Sequence, residues 1–124
     1  MIVEFYETAN GKIPVNEYLD SLQPKLLAKT IRNIVLLERF GIELRLPFSE
    51  YLRDDIFELR SKQSSNITRI LYFFTTDNKA ILANGFTKKS IKTPKKEIET
   101  AIKYKTDYER RFNKWNFKTI KRKL

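Results

Sequence analysis

The chain has 124 residues, a net charge of +10, and neither cysteine nor histidine. That length fits one domain with a modest core. The missing residue types exclude disulfides and thiolate metal sites, and remove both the commonest metal ligand and the usual general base near neutral pH.

Ile2–Tyr6 is rich in β-formers and reads as a first strand. No apolar run approaches the ~20 residues of a membrane helix, and the N-terminus lacks a signal-peptide pattern, so a cytoplasmic protein is expected. Asn10-Gly11 marks a turn. Pro14 opens a short helix through Leu22, and Pro24 opens a second from Lys25 to Phe40. In the second helix Leu27, Ile31, Ile34 and Leu37 recur at helical spacing and predict a buried stripe. Gly41 is the natural stop. Residues 42–54, with Pro47, form a mixed-charge connection that matches no element.

Three strands follow, at about 55–61, 66–75 and 79–86, separated by turns at 62–65 and 76–78. No intervening run is long enough for a crossover, so the three pair as an antiparallel meander. Thr93 and Pro94 predict the cap and first turn of a last helix reaching about Phe112, with Ile98, Ala101, Ile102, Tyr108 and Phe112 toward the core. Residues 113–124 are a basic extension carrying Trp115. The order β-α-α-β-β-β-α predicts an α+β domain over 1–112, its antiparallel sheet covered by helices on one face and partly open on the other.

Charge is unevenly spread along this order. Residues 1–59 hold seven Lys/Arg against ten Asp/Glu, whereas 60–124 hold eighteen against five. Such asymmetry is the footprint of nucleic-acid binding. A hairpin centred on Ser64-Ser65 sets Arg60 opposite Arg69, and Glu58 opposite Leu71. Phe57, Leu59, Ile70, Tyr72 and Phe74 then share the buried face, while Glu58, Arg60 and Arg69 share the other. The second hairpin is expected to bring Asn84 beside Arg69. Like charges opposed on a sheet repel, so the arginine pair calls for an anion, and RNA phosphate is the expected one. Lys88 and Lys89 lie just past the last strand, with Lys92 and Lys95 close behind. Arg60, Arg69, Lys88 and Glu58 are the candidate catalytic groups; Asn84, Lys89, Lys92 and Lys95 are candidates for RNA binding. A lysine among other cations has a lowered pKa and can serve as a base, with Glu58 as a second candidate. The plainer alternative is that Glu58 forms an ion pair with Arg60 or Arg69 and orders the sheet.

Four motifs in order, Glu58-Leu59-Arg60, Arg69-Ile70-Leu71-Tyr72-Phe73-Phe74, Gly85-Phe86-Thr87-Lys88-Lys89, and Lys92-Thr93-Pro94 with Glu97-Ile98 and Ala101, resemble the phage-derived, HigB-like branch of the RelE/ParE toxin superfamily. The resemblance spans about residues 50–110. It implies the small toxin fold, and the toxin half of a type II toxin–antitoxin pair. It further implies ribosome-dependent, metal-independent endoribonuclease cleavage of mRNA with no cofactor, and a small antitoxin partner of helix-turn-helix type. Arg60, Arg69, Lys88 and Lys89 match the family's basic positions. Asn84 stands where the family often has histidine, which leaves a phosphate clamp rather than a histidine-based scheme. Asp54 and Asp55 stand where many members have glycine. Two alternatives keep the basic surface without RNA cleavage: a ParE-like inhibitor of DNA gyrase, and a non-catalytic nucleic-acid-binding module.

Overall fold

The computed structural model describes residues 1–88 and 92–123, with side chains described through residue 112. Lys89 therefore lies outside the described residues, as do the side chain of Trp115 and the rest of the predicted extension's side chains. The elements are β1 (Ile2–Phe5), α1 (Pro14–Asp20), α2 (Pro24–Phe40), β2 (Ser49–Arg53), β3 (Ile56–Gln63), β4 (Asn66–Phe74), β5 (Lys79–Lys88) and α3 (Lys95–Lys123). They form a five-stranded mixed sheet in the order β1-β5-β4-β3-β2. β3, β4 and β5 pair antiparallel, as the short turns require, and β1 lies parallel to β5 at one edge. The domain is α+β, as expected.

The unassigned connection contains the extra strand β2, which closes the other edge against β3. Its turn is made by Asp54 and Asp55, both in the left-handed region at φ 52° and 61°. Aspartate tolerates that region through local hydrogen bonding, and two such residues in succession suit a two-residue hairpin. The usual Asn-Gly signal is absent, so the hairpin has little trace in the sequence.

The expectation of one covered face and one open face needs correcting. α1 and α2 pack Val15, Leu19 and Leu37 on Leu59, Ile70, Tyr72 and Leu82. α3 packs Ile98, Ala101 and Tyr108 on Leu71, Phe73, Ile81 and Ala83 from the opposite side. The physical reason lies in β4 and β5. Ile70, Leu71 and Tyr72 are fully buried in succession, as are Ala80 through Ala83. Continuous apolar runs, rather than alternating ones, are what a strand buried on both faces presents. The α3 backbone also continues through Lys123, so the predicted extension is helical rather than a separate tail.

The stripe on α2 is rotated from the expected one. Leu26, Thr30, Asn33 and Leu37 are buried, while Ile31 is 46% exposed. The polar pair is accepted because each makes hydrogen bonds. The Thr30 and Thr68 hydroxyls bond at 2.9 Å, and Asn33 Nδ2 donates to the Arg60 carbonyl and to Ser61 Oγ, both at 2.9 Å. Buried polar groups satisfied in this way cost little, and they fix the rotation of α2 against β3.

Two packing details carry testable weight. Gly85 lies beneath the Tyr18 ring, and a Cβ added there would stand 2.3 Å from Tyr18 Cδ2. Close approach, not backbone conformation, therefore demands glycine. Gly85→Ala must displace the ring and its 2.6 Å hydroxyl contact with Thr87. We expect a loss of about 1–3 kcal/mol in urea unfolding, as for other overpacked sites.

At the sheet's β1 edge, Tyr6 donates to Asp107 Oδ2 at 2.5 Å, and Arg111 donates to the same oxygen from Nε and Nη2. Burial first, and the Asp107 carboxylate second, push the Tyr6 hydroxyl up to about 12. A raised folded pKa contributes stability that is intact below the unfolded value near 10 and disappears as pH climbs toward 12. Tyr6→Phe is thus expected to cost about 1–2 kcal/mol at neutral pH. The gap between the two proteins should close between about pH 10 and 12 when urea unfolding is followed across that range; a gap constant to pH 12 would contradict the assignment.

Candidate nucleic-acid interface

The β3–β4 register sets Arg60 directly opposite Arg69 and Glu58 opposite Leu71, as the hairpin spacing predicts. Both guanidinium groups are on the α3 side of the sheet. Between them sits Glu58, whose Oε1 is 3.4 Å from Arg60 Nε and 3.2 Å from Arg69 Nε. The anion that holds the two cations together is thus the chain's own carboxylate.

Arg69 is fully buried and Glu58 is 1% exposed. Arg69 Nη1 donates to Thr93 Oγ1 at 3.2 Å, and Thr93 in turn donates to Glu58 Oε2 at 2.5 Å. The Thr93 hydroxyl, expected as a helix cap, is committed to this buried pair instead. It fastens the segment leading into α3 onto the sheet. Arg69 and Glu58 are therefore out of reach of a substrate, contrary to their expected place on an open face. The reason is the coverage by α3.

Asn84 is also corrected. The β4–β5 turn is centred on Asp77 and a β-bulge between Leu71 and Tyr72 adds one further residue, so that Phe86 rather than Asn84 is opposite Arg69. Asn84 pairs with Leu71, is 7% exposed, and donates from Nδ2 to the Glu97 carbonyl at 3.2 Å. Its role is to tie α3 to the sheet.

Arg60 alone of the arginine pair reaches solvent, with 21% of its side chain exposed. Its Nη1 stands 3.5 Å from Glu50 Oε2 on the neighbouring strand β2. A groove of about 490 Å³ opens here between β2 and the segment before α3, with Arg60, Glu50, Arg53, Lys92 and Thr93 on its walls and Leu46, Leu52 and Ile98 supplying apolar surface. Arg53 is paired with Asp54 at 2.5 Å on the surface. Lys92 is exposed on the rim. Lys88 is exposed at the far end of β5, and Lys95 is exposed in the first turn of α3, 3.9 Å from Glu99.

The structure thus brings Arg60 and Lys92 to one groove, leaves Lys88 and Lys95 at the periphery, and buries Glu58, Arg69 and Asn84. Glu50 and Arg53 were missed because β2 carries no clear strand signal. Among the described residues no three carboxylates converge as a cation site would require. Chemically, the groove offers a fixed guanidinium for a phosphodiester, an accessible carboxylate beside it, and apolar surface for a base.

Residues 17–106 match the family described as Phage derived protein Gp49-like (DUF891). Over 109 residues the chain is 30% identical to the protein named probable endoribonuclease HigB1 of Mycobacterium tuberculosis, in strains CDC 1551 / Oshkosh and ATCC 25618 / H37Rv. That similarity covers 87% of this chain and 84% of the relative. The chain belongs to the Gp49-like, phage-derived family of RelE/HigB-type toxins.

Proposed function

We propose that this protein is the toxin of a type II toxin–antitoxin pair and cleaves mRNA on the ribosome without a metal ion. The observation that carries the reading is Arg60. Its guanidinium is held from below by buried Glu58 and projects into a groove beside accessible Glu50, in a chain similar to a probable endoribonuclease.

In this reading the substrate's own 2′-hydroxyl is the nucleophile. Its oxygen attacks the adjacent phosphorus, the bond to the 5′-oxygen breaks, and a 2′,3′-cyclic phosphate and a 5′-hydroxyl result. Arg60 takes the non-bridging oxygens, where charge grows in the transition state. Glu50 accepts the 2′-hydroxyl proton, and Lys92 returns one to the leaving oxygen. With no histidine in the chain, these groups are modest acids and bases at neutral pH. A ribosome that aligns the strand supplies the orientation such groups need. The partner that silences the toxin is a small antitoxin, expected to be of helix-turn-helix type.

Substitution of the two arginines separates chemistry from folding. Arg60→Ala and Arg60→Lys should abolish growth arrest on induced expression and remove the new mRNA 5′ ends seen by primer extension, while both variants remain folded by circular dichroism. Arg69→Ala strips Glu58 of its buried partner, and we expect it to lose about 3–5 kcal/mol of stability. Full toxicity in Arg60→Ala, or DNA breaks with intact mRNA, would overturn the reading; the latter would favour gyrase poisoning.

Glu50→Gln tests the proton acceptor. We expect about 10²–10⁴-fold slower cleavage in single-turnover assays on programmed ribosomes, with mRNA and ribosome binding unchanged. A rate within a few-fold of the native protein would exclude Glu50 as the base.

A further inference from the structure

Arg60 lines a second cleft, on the far side of the β3 edge from the groove just described. Here β2 has not yet begun to pair: the Arg60 amide donates to the Phe48 carbonyl at 2.8 Å, and beyond that point the edge of β3 faces α2 across a cavity of about 190 Å³. Lys29 and Arg32 from α2, and Arg60 and Lys62 from β3, line it together with Asn33 and Phe48. Among the described residues, no carboxylate is on its walls.

One of these cations is tied to the neighbouring strand. Lys29 Nζ donates to the Lys62 carbonyl at 3.1 Å, which draws α2 and the end of β3 together. Asn33 Nδ2 fixes the Arg60 carbonyl. Arg32 and Lys62 are exposed, and Phe48 is 37% exposed. Lys29, Arg32 and Lys62 set three like charges around one cavity, whereas the Arg60 charge is already paired with Glu58 and Glu50. A run of backbone phosphates would offset those three. Basic grooves with an accessible aromatic ring are how proteins track single-stranded nucleic acid.

We infer that this cleft is a second phosphodiester-backbone subsite, and that the RNA strand in the groove passes over Arg60 and continues between α2 and β3. The inference rests on the proposed RNA substrate and extends it. Lys29, Arg32 and Lys62 hold phosphates outside the scissile position, and Arg60 is the point where the two clefts meet.

The test compares the native protein with Lys29→Gln/Arg32→Gln/Lys62→Gln, and with Arg32→Gln alone in case the triple variant fails to fold. The probes are non-cleavable 2′-O-methyl RNA strands of about four and about twelve nucleotides, titrated across a salt series. Each phosphate contact on a single strand contributes about 0.7 to the slope of log affinity against log salt. We expect the native protein to bind the longer strand more tightly with a steeper slope. The triple variant should lose about two units of that slope and most of the length dependence, and Arg32→Gln should lose about 0.7. If the native protein binds RNA but the variants keep its slope and length dependence, the subsite is wrong while the proposed function stands. Variants that bind strands normally yet no longer pellet with ribosomes would assign the cleft to ribosomal RNA and overturn the continuous path. A native protein that binds no free RNA strand at low salt would overturn the subsite and leave the ribosome-dependent reading to the primer-extension test.

Discussion

Two arginines opposed on neighbouring strands repel each other, and the site is organised around the way this is resolved. One buried carboxylate oxygen of Glu58 lies within 3.4 Å of both guanidinium groups. Burying Glu58 and Arg69 is expensive unless geometry and hydrogen bonding compensate. Thr93 supplies part of that compensation from the segment ahead of α3. The cluster therefore joins β3, β4 and the approach to α3 in one network. It also resists a register slip, because moving β3 by one residue would carry Glu58 to the opposite face and leave Arg69 buried without it. For Arg60 the consequence is different. Its Nε is held inward while its Nη1 faces Glu50 at the groove, so in the proposed reading a phosphate would meet a guanidinium already in place. A group ordered before binding loses less freedom on binding.

The meander, its hairpin register and the helix starts at Pro14 and Pro24 were legible because each depends on local chemistry: turn residues, proline, and a period of two. The covered second face was not read, although its signal was present. Ile70-Leu71-Tyr72-Phe73-Phe74 has no polar alternate, and a strand with one wet face should have one. The tendency to place all helices on one side hid what the run itself states. On α2, Leu27, Ile34 and Leu37 of the apolar stripe pack on the sheet as expected, but Ile31 is turned out. Tertiary hydrogen bonds to Thr68, Ser61 and the Arg60 carbonyl turned Thr30 and Asn33 inward, and no hydropathy pattern contains those bonds.

The site was legible as a set of charges but not as a set of roles. Sequence places Glu58, Arg60 and Arg69 together, and the fold keeps them together. Which of them a ligand can touch depends on α3, on the bulge beside Leu71, and on β2, none of which is fixed by spacing within the hairpin. Turn and bulge together decide Asn84, since each moves the β4–β5 register by one residue and both are needed to set it opposite Leu71 rather than Arg69. β2 is decisive for chemistry, since it brings Glu50, an accessible carboxylate, to the one arginine that remains exposed.

The remaining basic residues differ from Arg60 in kind. Lys88, Lys92 and Lys95 are exposed lysines with long flexible stems, and the charge of such residues is felt at a distance but screened within about 8–10 Å at ordinary ionic strength. They attract a polyanion without defining its position. A fixed guanidinium does the reverse: it acts over a short range and selects a geometry. A surface built only of lysines would bind any nucleic acid and align none. A lone clamp would align a strand but seldom meet one. The uneven charge of the chain and the single buried carboxylate beneath Arg60 thus answer two separate requirements, capture and alignment. The physical mark of the second is that Arg60, unlike its basic neighbours, owes its position to a residue that never sees solvent.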